Sequence, residues 1–588
     1  MAIKLEDYGI ENFGQLQESV EYSRTKLKPF RDNQMNALKQ YVGSHYSEHG
    51  AEDKVPINMI ELAVNIYLQN LAASRPKALV STVPLSLKGI ANKLEIETNN
   101  TLGDMIFEDI LEGAVLQAIF SVGIIKTYLT QRFTVNIDGD DYPVTEPLCA
   151  NVTLDNWVHD MSARVWSEMQ FCGDRCTMLY EEAVNDETLD KEFREKLTAM
   201  ENKAQRENDE NRAEKISQGD EPLNNYWKDV CELWNIWLPK QKVVLVMAED
   251  IDIPGKVIRW KGRPTGPYRF LKFNNVIDNV MPLPPVSLWL DLHELTNILY
   301  RKLGRQAERQ KTIVGVQAGA DADGNRIVKA NDGDMIKLDN PQAAKEYKFG
   351  GVDQQSLLFL MQTKELMSYM AGNLDAMGGL SRQSDTVGQD QLLTSNANKR
   401  LVSMQKRTIR FATDVIEDIA WYRWTDPIRE YPVTIRKYNT EAPDTLTIRE
   451  RETDFFKYNF TIEPFSLQSH TPEQKLSSMI NVLERLYAPY AETLAQRGIF
   501  LDFEKLYHFV AKYGNLPELK ELIIVSEPQI PQEQPQGKSV RTSPVTTRKY
   551  ERIGKPGATR EGNDRQIMQM LTGNLNRQQP GLMKNATG

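Results

Sequence analysis

Residues 353–424 constrain the fold of this chain more than any other stretch. Apolar side chains recur at helical spacing on both sides of a glycine-broken loop. Leu360, Met367, Met370 and Leu374 share one side of a first helix. Met404, Phe411, Val415, Ile419 and Tyr422 share one side of a longer second helix, and Lys399, Lys406 and Arg410 lie on another face. Between them runs Met377–Gly388, where Gly378, Gly379 and Gly388 flank the polar residues Ser381, Arg382, Gln383 and Ser384. A polar, glycine-rich loop held by two long helices is expected to project, not to pack.

With 588 residues, 40% of them hydrophobic and 26% charged, the chain is long enough for several globular domains of ordinary composition. No apolar run reaches the roughly 18 residues of a membrane span, and the N-terminus has no apolar secretory core, so an intracellular protein is expected. The four cysteines, Cys149, Cys172, Cys176 and Cys231, are too few and too irregular for a disulfide framework. Cys172 and Cys176 have no second pair to complete a zinc site, so free buried thiols are expected. The charge is uneven. Residues 528–588 carry ten Lys+Arg against four Asp+Glu, which leaves −16 of the net −10 on the rest of the chain. An acidic body argues against tight gripping of DNA phosphates, but not against letting DNA slide past.

The periodicity predicts an α+β chain. A loose arm precedes a helix through Leu27, Met35, Leu38 and Tyr41, stopped at Gly43. Asn58 is the expected N-cap of the next helix, with Ile60, Val64, Tyr67 and Leu71 inward, and Arg75-Pro76 ends it. A strand is expected at 77–83, a long helix over 90–119 with a break at Gly103, and a strand from Ile124 to Thr130. Carboxylates cluster at 136–141 and again at 321–325. A calcium loop would need a closing Glu that neither stretch has, so Asp-Gly turns are the reading for both.

Residues 181–220 are densely charged and read as a solvated helix. Strand-like runs over 230–273 form a small β unit closed by Pro282, Pro284 and Pro285. A helix over 286–311 carries a stripe of Leu288, Leu292, Leu295, Leu299 and Leu303. Its basic end holds Arg301, Arg305 and Arg309, which either complement the helix dipole or face a polyanion. Strands are expected at 312–316, 327–328 and 335–338, then the paired helices, then β structure to about Phe465. Helices capped at Thr471-Pro472 run to about Val525. The remainder has a disordered composition, with one short helix at 564–571.

No phosphate loop, metalloprotease motif or nucleophile elbow occurs, and the six histidines are scattered. Neither an enzyme nor a cofactor or metal requirement is expected on these residues.

The order of segments resembles the portal proteins (head-to-tail connectors) of tailed double-stranded DNA bacteriophages. The resemblance rests on the helix ending at Tyr41-Val42-Gly43 with Val55-Pro56-Ile57-Asn58 after it. It rests further on Ala114–Ala118 running into Ser121-Val122-Gly123-Ile124-Ile125-Lys126, on the helix Ser287–Lys311, and on Gly333-Asp334-Met335 to Phe349 followed by two long helices.

The resemblance implies an N-terminal arm and wing over 1–180, a charged helical segment and clip over 181–285, and a stem helix at 286–311. It implies a wing over 312–469 with tunnel loop 376–389 and long helix 390–424, a helical crown over 470–527 and a basic disordered tail over 528–588. It also implies a ring, typically of twelve subunits, at one capsid vertex of the virion, assembled in the host cytoplasm. Such a ring would pass double-stranded DNA without sequence specificity during packaging and ejection. Its implied partners are the terminase large subunit, a head-tail adaptor, the major capsid protein and scaffold.

In that reading Gly378, Gly379 and Gly388 are hinges, and Ser381, Arg382, Gln383 and Ser384 are the polar tip facing phosphates. Arg301, Arg305, Arg309, Lys399, Lys406 and Arg410 line the channel or pair with a neighbouring subunit. The alternatives are a non-portal virion or scaffold protein that uses its helices for assembly alone, and a nucleic-acid enzyme.

Overall fold

The computed structural model describes residues 5–463 except 11, 44–56, 138–139, 198–228, 332, 340–341, 343, 373, 375–386 and 438–439; beyond 463 it describes 477, 479–481, 483–490, 506 and 510. The chain divides into two compact units, Met1–Ser469 and His470–Gly588. Of the second, the described part includes a short turn of helix at Leu483–Tyr487. The helices expected over 471–525 and the basic tail otherwise lie outside the described residues.

The first unit mixes helices and antiparallel strands, the expected α+β class. It opens with α1 (Phe13–Val42), α2 (Met59–Leu71), β1 (Ala78–Thr82), α3 (Lys88–Asp104), α4 (Phe107–Phe120), β2 (Gly123–Ile137), β3 (Asp140–Asn151), β4 (Trp157–His159) and β5 (Cys172–Leu179). Then come α5 (Tyr180–Asn185), α6 (Lys191–Lys196), β6 (Val230–Leu238), β7 (Val243–Met247), β8 (Lys256–Arg259) and β9 (Tyr268–Leu271). The rest is α7 (Ser287–Glu308), β10 (Lys311–Val316), α8 (Asp321–Lys329), β11 (Ala344–Phe349), α9 (Gln354–Met370), α10 (Val387–Thr425), β12 (Tyr431–Lys437), β13 (Thr440–Leu446) and β14 (Tyr458–Ile462). Among the described residues no helix is long and apolar enough to cross a membrane.

Local chemistry explains most of these boundaries. Asn58 caps α2 as expected, its Oδ1 accepting from Glu61 N at 3.1 Å. Gly43 closes α1, but α1 begins at Phe13, so most of the expected loose arm is helix. The break in the long helix over 90–119 falls at Ile106, not at Gly103, where a β-branched residue sits at φ 50°. Gly123 opens β2 where a Cβ would collide with the Ala114 carbonyl of α4. β2 and β3 form a long ribbon with Ile137 opposite Asp140, the hairpin expected of Asp138-Gly139.

The second carboxylate cluster differs from its reading as a turn. Asp321-Ala322-Asp323-Gly324-Asn325 is the first part of helix α8, which also absorbs the strand expected at 327–328. Residues 335–338 are not a strand either; the partner of β10 is β11.

Two sheets weave the first half of the unit together. β4-β5-β6-β7-β8 is a five-stranded antiparallel sheet, and β3-β2-β9 a three-stranded one. The β unit expected at 230–273 is therefore not self-contained: β6 pairs with β5, and β9 pairs with β2. The charged stretch after 181 is also less solvated than its composition implies. Ala183, Leu189, Phe193 and Leu197 are buried, and the Phe193 ring lies against Gly255. The four cysteines are free, and Cys149, Cys172 and Cys231 are buried.

The largest core forms around α10, whose 39 residues would extend about 58 Å. Met404, Phe411, Val415 and Ile419 face inward with α2, α3 and α4. Asp426-Pro427 ends the helix, and the Arg451 guanidinium caps it. Nη1 donates to the carbonyls of Arg423 at 2.8 Å and Asp426 at 2.7 Å, and Nη2 to that of Arg429. Within the apolar stripe sits a carboxylate, Asp418, 3% exposed. Its Oδ1 accepts from Arg269 Nη2 at 2.5 Å and Arg263 Nη1 at 3.2 Å. Burial pushes this carboxyl up to about 6 against the pull of the two guanidinium groups.

Asp418→Ala takes the paired carboxylate from buried Arg269 and leaves Arg263 to Glu417, so urea unfolding is expected to show a loss of about 3 kcal/mol. Glu417→Gln, which touches Arg263 alone from a more exposed position, is expected to cost about 1 kcal/mol or less.

Candidate functional site: a helical stalk and its β tip

Helices α7 and α9 pack on one another and enclose β10, α8 and β11 at one end. β10 and β11 are antiparallel, with Lys311 opposite Phe349, so the chain leaves along α7 and returns along α9. Asp353 N donates to Gln306 Oε1 at 3.3 Å where the two helices meet the tip. The return needs glycine. Gly350 has φ 74°, and a Cβ there would sit 3.1 Å from the Arg309 carbonyl. The 22 residues of α7 give an arm of about 33 Å.

One aromatic side chain fastens both helices to the body. Tyr67 of α2 stacks on Trp289 in the first turn of α7, ring centroids 5.5 Å apart and 10° from coplanar. Its hydroxyl donates to the carbonyl of Ala371, just past the end of α9, at 2.6 Å. Two turns along α7, Asn297 holds the backbone of Ile57 from both sides, accepting from its N–H and donating to its carbonyl at 3.1 Å each. His293 lies fully buried between these anchors, and burial drops its imidazole to about 4.

Beyond Asn297 the helices lose their cover. The expected leucine stripe of α7 is buried at Leu303 but not along the rest of its length. Trp289, His293, Thr296, Asn297 and Leu303 are buried, whereas Leu288, Leu292, Leu295 and Leu299 are half-buried. Ile298 and Tyr300 are 51% and 45% exposed. On α9, Leu358, Phe359, Met361, Leu366 and Tyr369 are 49–75% exposed, and Leu360, Thr363 and Met367 face in.

The tip is also thinly covered. Gly324 of α8 packs on Val316, but Ile313 and Tyr347, paired across the other face, are 48% and 46% exposed. Asp323 organises the tip from inside, accepting from Asp339 N at 3.2 and 3.1 Å and from Arg326 Nη1 at 3.2 Å.

The expected basic residues fall on two elements. Arg305 and Arg309 are exposed at the end of α7, and Arg301 is half-buried with an interaction of its own. Lys406 and Arg410 are exposed on α10; Lys399 is helical, and its side chain lies outside the described residues. Gly388, expected as a loop hinge, is in the first turn of α10. Gly378, Gly379, Ser381, Arg382, Gln383 and Ser384 lie outside the described residues. Before that loop, Leu374 is 1% exposed in the main core, and Arg400 Nη1 of α10 donates to the Met370 carbonyl at 2.5 Å.

Tyr67, Trp289, Asn297 and Arg400 were not singled out as site residues from the sequence. Trp289 and Asn297 did carry a signal, as large or polar groups just off the leucine stripe. Among the described residues no group of three His, Cys, Asp or Glu is placed to hold a metal ion.

Tyr67→Phe, losing one buried hydrogen bond, is expected to cost about 1 kcal/mol in urea unfolding, and Trp289→Ala about 3–5 kcal/mol. The buried imidazole sets a pH dependence. Unfolded His293 gains a proton near 6.5 and the folded residue near 4, so its share of stability is complete above 6.5 and is lost as the pH falls toward 4. That share is on the order of 3 kcal/mol, and His293→Gln is expected to flatten the decline in stability measured between pH 7 and 4.5. No protein-family model matches this chain, and no curated protein matches it.

Proposed function

We propose that the chain is a portal protein, a subunit of a ring at one capsid vertex through which double-stranded DNA is packaged and ejected. The observation that carries this reading is the stalk. Two antiparallel helices are riveted at their base, carry a β tip at the far end and expose apolar flanks along their length. Apolar flanks of this kind call for further copies beside them. Head-to-tail contacts between identical stalks close into a ring when the rotation per subunit divides a full turn.

Within this reading the stem comprises both α7 and α9. The terminase- and adaptor-facing end is 311–349 rather than 220–285, because the latter strands are hydrogen-bonded into the sheets of the body. Repetition of the exposed Arg305 and Arg309 around a ring gives bands of positive charge on an otherwise acidic subunit. Such bands contact phosphates without reading sequence. In this reading loop 376–389 is the constriction that acts on passing DNA.

Negative-stain images of the purified chain are expected to show rings with a central opening of roughly 20–40 Å, wide enough for a duplex. Monodisperse single subunits would overturn the reading. Phe359→Glu with Leu366→Glu, both on the exposed side of α9, is expected to leave folded subunits that no longer form rings. Shortening loop 376–389 is expected to leave rings intact and to impair DNA packaging or retention; unimpaired packaging would favour a structural virion protein without a conduit.

A further inference from the structure

Two faces of opposite charge lie on opposite sides of the main core. α10 carries the basic one. From Gln391 to Thr413 the sequence holds five Lys or Arg and no Asp or Glu, in a chain that is acidic overall. Lys406 and Arg410 are exposed and lie one helical turn apart. Beside them the half-buried Arg407 donates from Nη1 to the Lys272 carbonyl at 3.1 Å. The Lys272 ammonium reaches the Val280 carbonyl at 3.5 Å, and burial, then the charge of Arg407, holds it below the usual lysine range. None of these four cations makes an ion pair among the described residues.

The acidic face is the junction of α3 and α4. Asp104, Asp109 and Glu112 are exposed there, and Glu108 is half-buried with Oε2 lacking a hydrogen-bond partner. These four also make no ion pair among the described residues. The dipole of α4 favours Glu108 and Asp109 in its first turn, but it does not account for the other two. Asp104 ends α3, where a negative charge is disfavoured, and Glu112 lies past the first turn of α4. Between the two helices stands Ile106, 53% exposed at φ 50°. A β-branched residue in the left-handed region is strained, and here the strain presents an apolar side chain to solvent.

Both helices bury their apolar sides in one core, Phe107, Leu111 and Val115 from α4 and Phe411, Ala412 and Val415 from α10, and α2 packs on both. The charged faces therefore point away from that core and from each other, and do not pair within one chain. Faces of this kind meet between copies in a head-to-tail contact, the arrangement that closes into rings. Exposed ion pairs are individually weak, but a set of them steers encounter and fixes register. Val402, 44% exposed one turn before Lys406, gives Ile106 an apolar counterpart.

We propose that the α3–α4 junction of one copy docks on the basic face of α10 in the next copy. Asp109 and Glu112 lie against Lys406 and Arg410, and Ile106 lies beside Val402. The proposal rests on the ring reading and adds a second contact to the one along the flank of α9.

The test is charge exchange in the full-length chain, read by sedimentation velocity across a concentration series. Lys406→Glu with Arg410→Glu, and separately Asp109→Lys with Glu112→Lys, are each expected to weaken association about tenfold or more. Circular dichroism is expected to show both variants folded. All four substitutions in one chain, or an equal mixture of the two variants, are expected to recover most of the association. If both variants associate like the wild type, the proposal is overturned and the ring reading stands. A wild-type chain that stays single overturns both. Loss of association without recovery in either the combined variant or the mixture overturns the proposal too, and leaves the basic face to a different polyanion such as nucleic-acid phosphate.

Discussion

The carboxylate of Asp418, holding Arg263 and Arg269 in the middle of α10, is the interaction on which the rest of the body depends. α10 touches α2 and α3, the sheet strands β2, β3 and β9, and β14. Apolar packing alone would let so long a helix slide or rotate, because hydrophobic contact is not directional. One buried charge with two fixed partners removes that freedom, since any shift would leave a charge unpaired in the core. Arg269 belongs to β9 and Arg263 to the turn before it, so the clamp joins the helical core to the sheet. Arg451 does the same at the end of α10 through backbone carbonyls.

A body fixed in this way can carry a lever. Tyr67 transmits the position of α2 to both stalk helices at once, through a ring stack on one and a hydrogen bond to the end of the other. The stalk therefore has a rigid base and a flank that its own chain leaves uncovered. That combination separates it from the five-stranded sheet, whose apolar faces are filled by α1 and by the two short helices after β5. In the portal reading, rigidity sets the angle between neighbouring copies and the uncovered flank supplies the energy of closure.

Much of the helical frame was legible in the sequence because its signals are local. Asn58, Gly43 and Pro427 mark ends, and the spacing of Met404, Phe411, Val415 and Ile419 marks the inward face of α10. Three kinds of fact were not local. Which strands pair depends on partners far apart in the chain, so β6 and β9 read as one unit although they belong to different sheets. The acidic run at 321–325 followed a turn pattern, but Asp323 is needed inside to hold the 339 backbone, and that contact favours helix. The leucine stripe of α7 was legible from its periodicity. Periodicity reports an apolar face and not what covers it, and here the protomer buries the neighbouring Trp289–Asn297 face instead. Asp418 was the available clue to the clamp, a charge standing at a position that the spacing assigns to the interior.

The central claim is that the exposed flank of the stalk is covered by other copies of the chain. Hydroxyl-radical footprinting of the purified protein tests it directly, with Tyr22, 56% exposed on α1, as an internal standard. Tyr369, Phe359 and Met361 are 75%, 49% and 55% exposed in the single chain. The account predicts that they react far more slowly than Tyr22 and that their reactivity rises when the assembly is dissociated. Reactivity equal to that of Tyr22, unchanged by dilution, would contradict it.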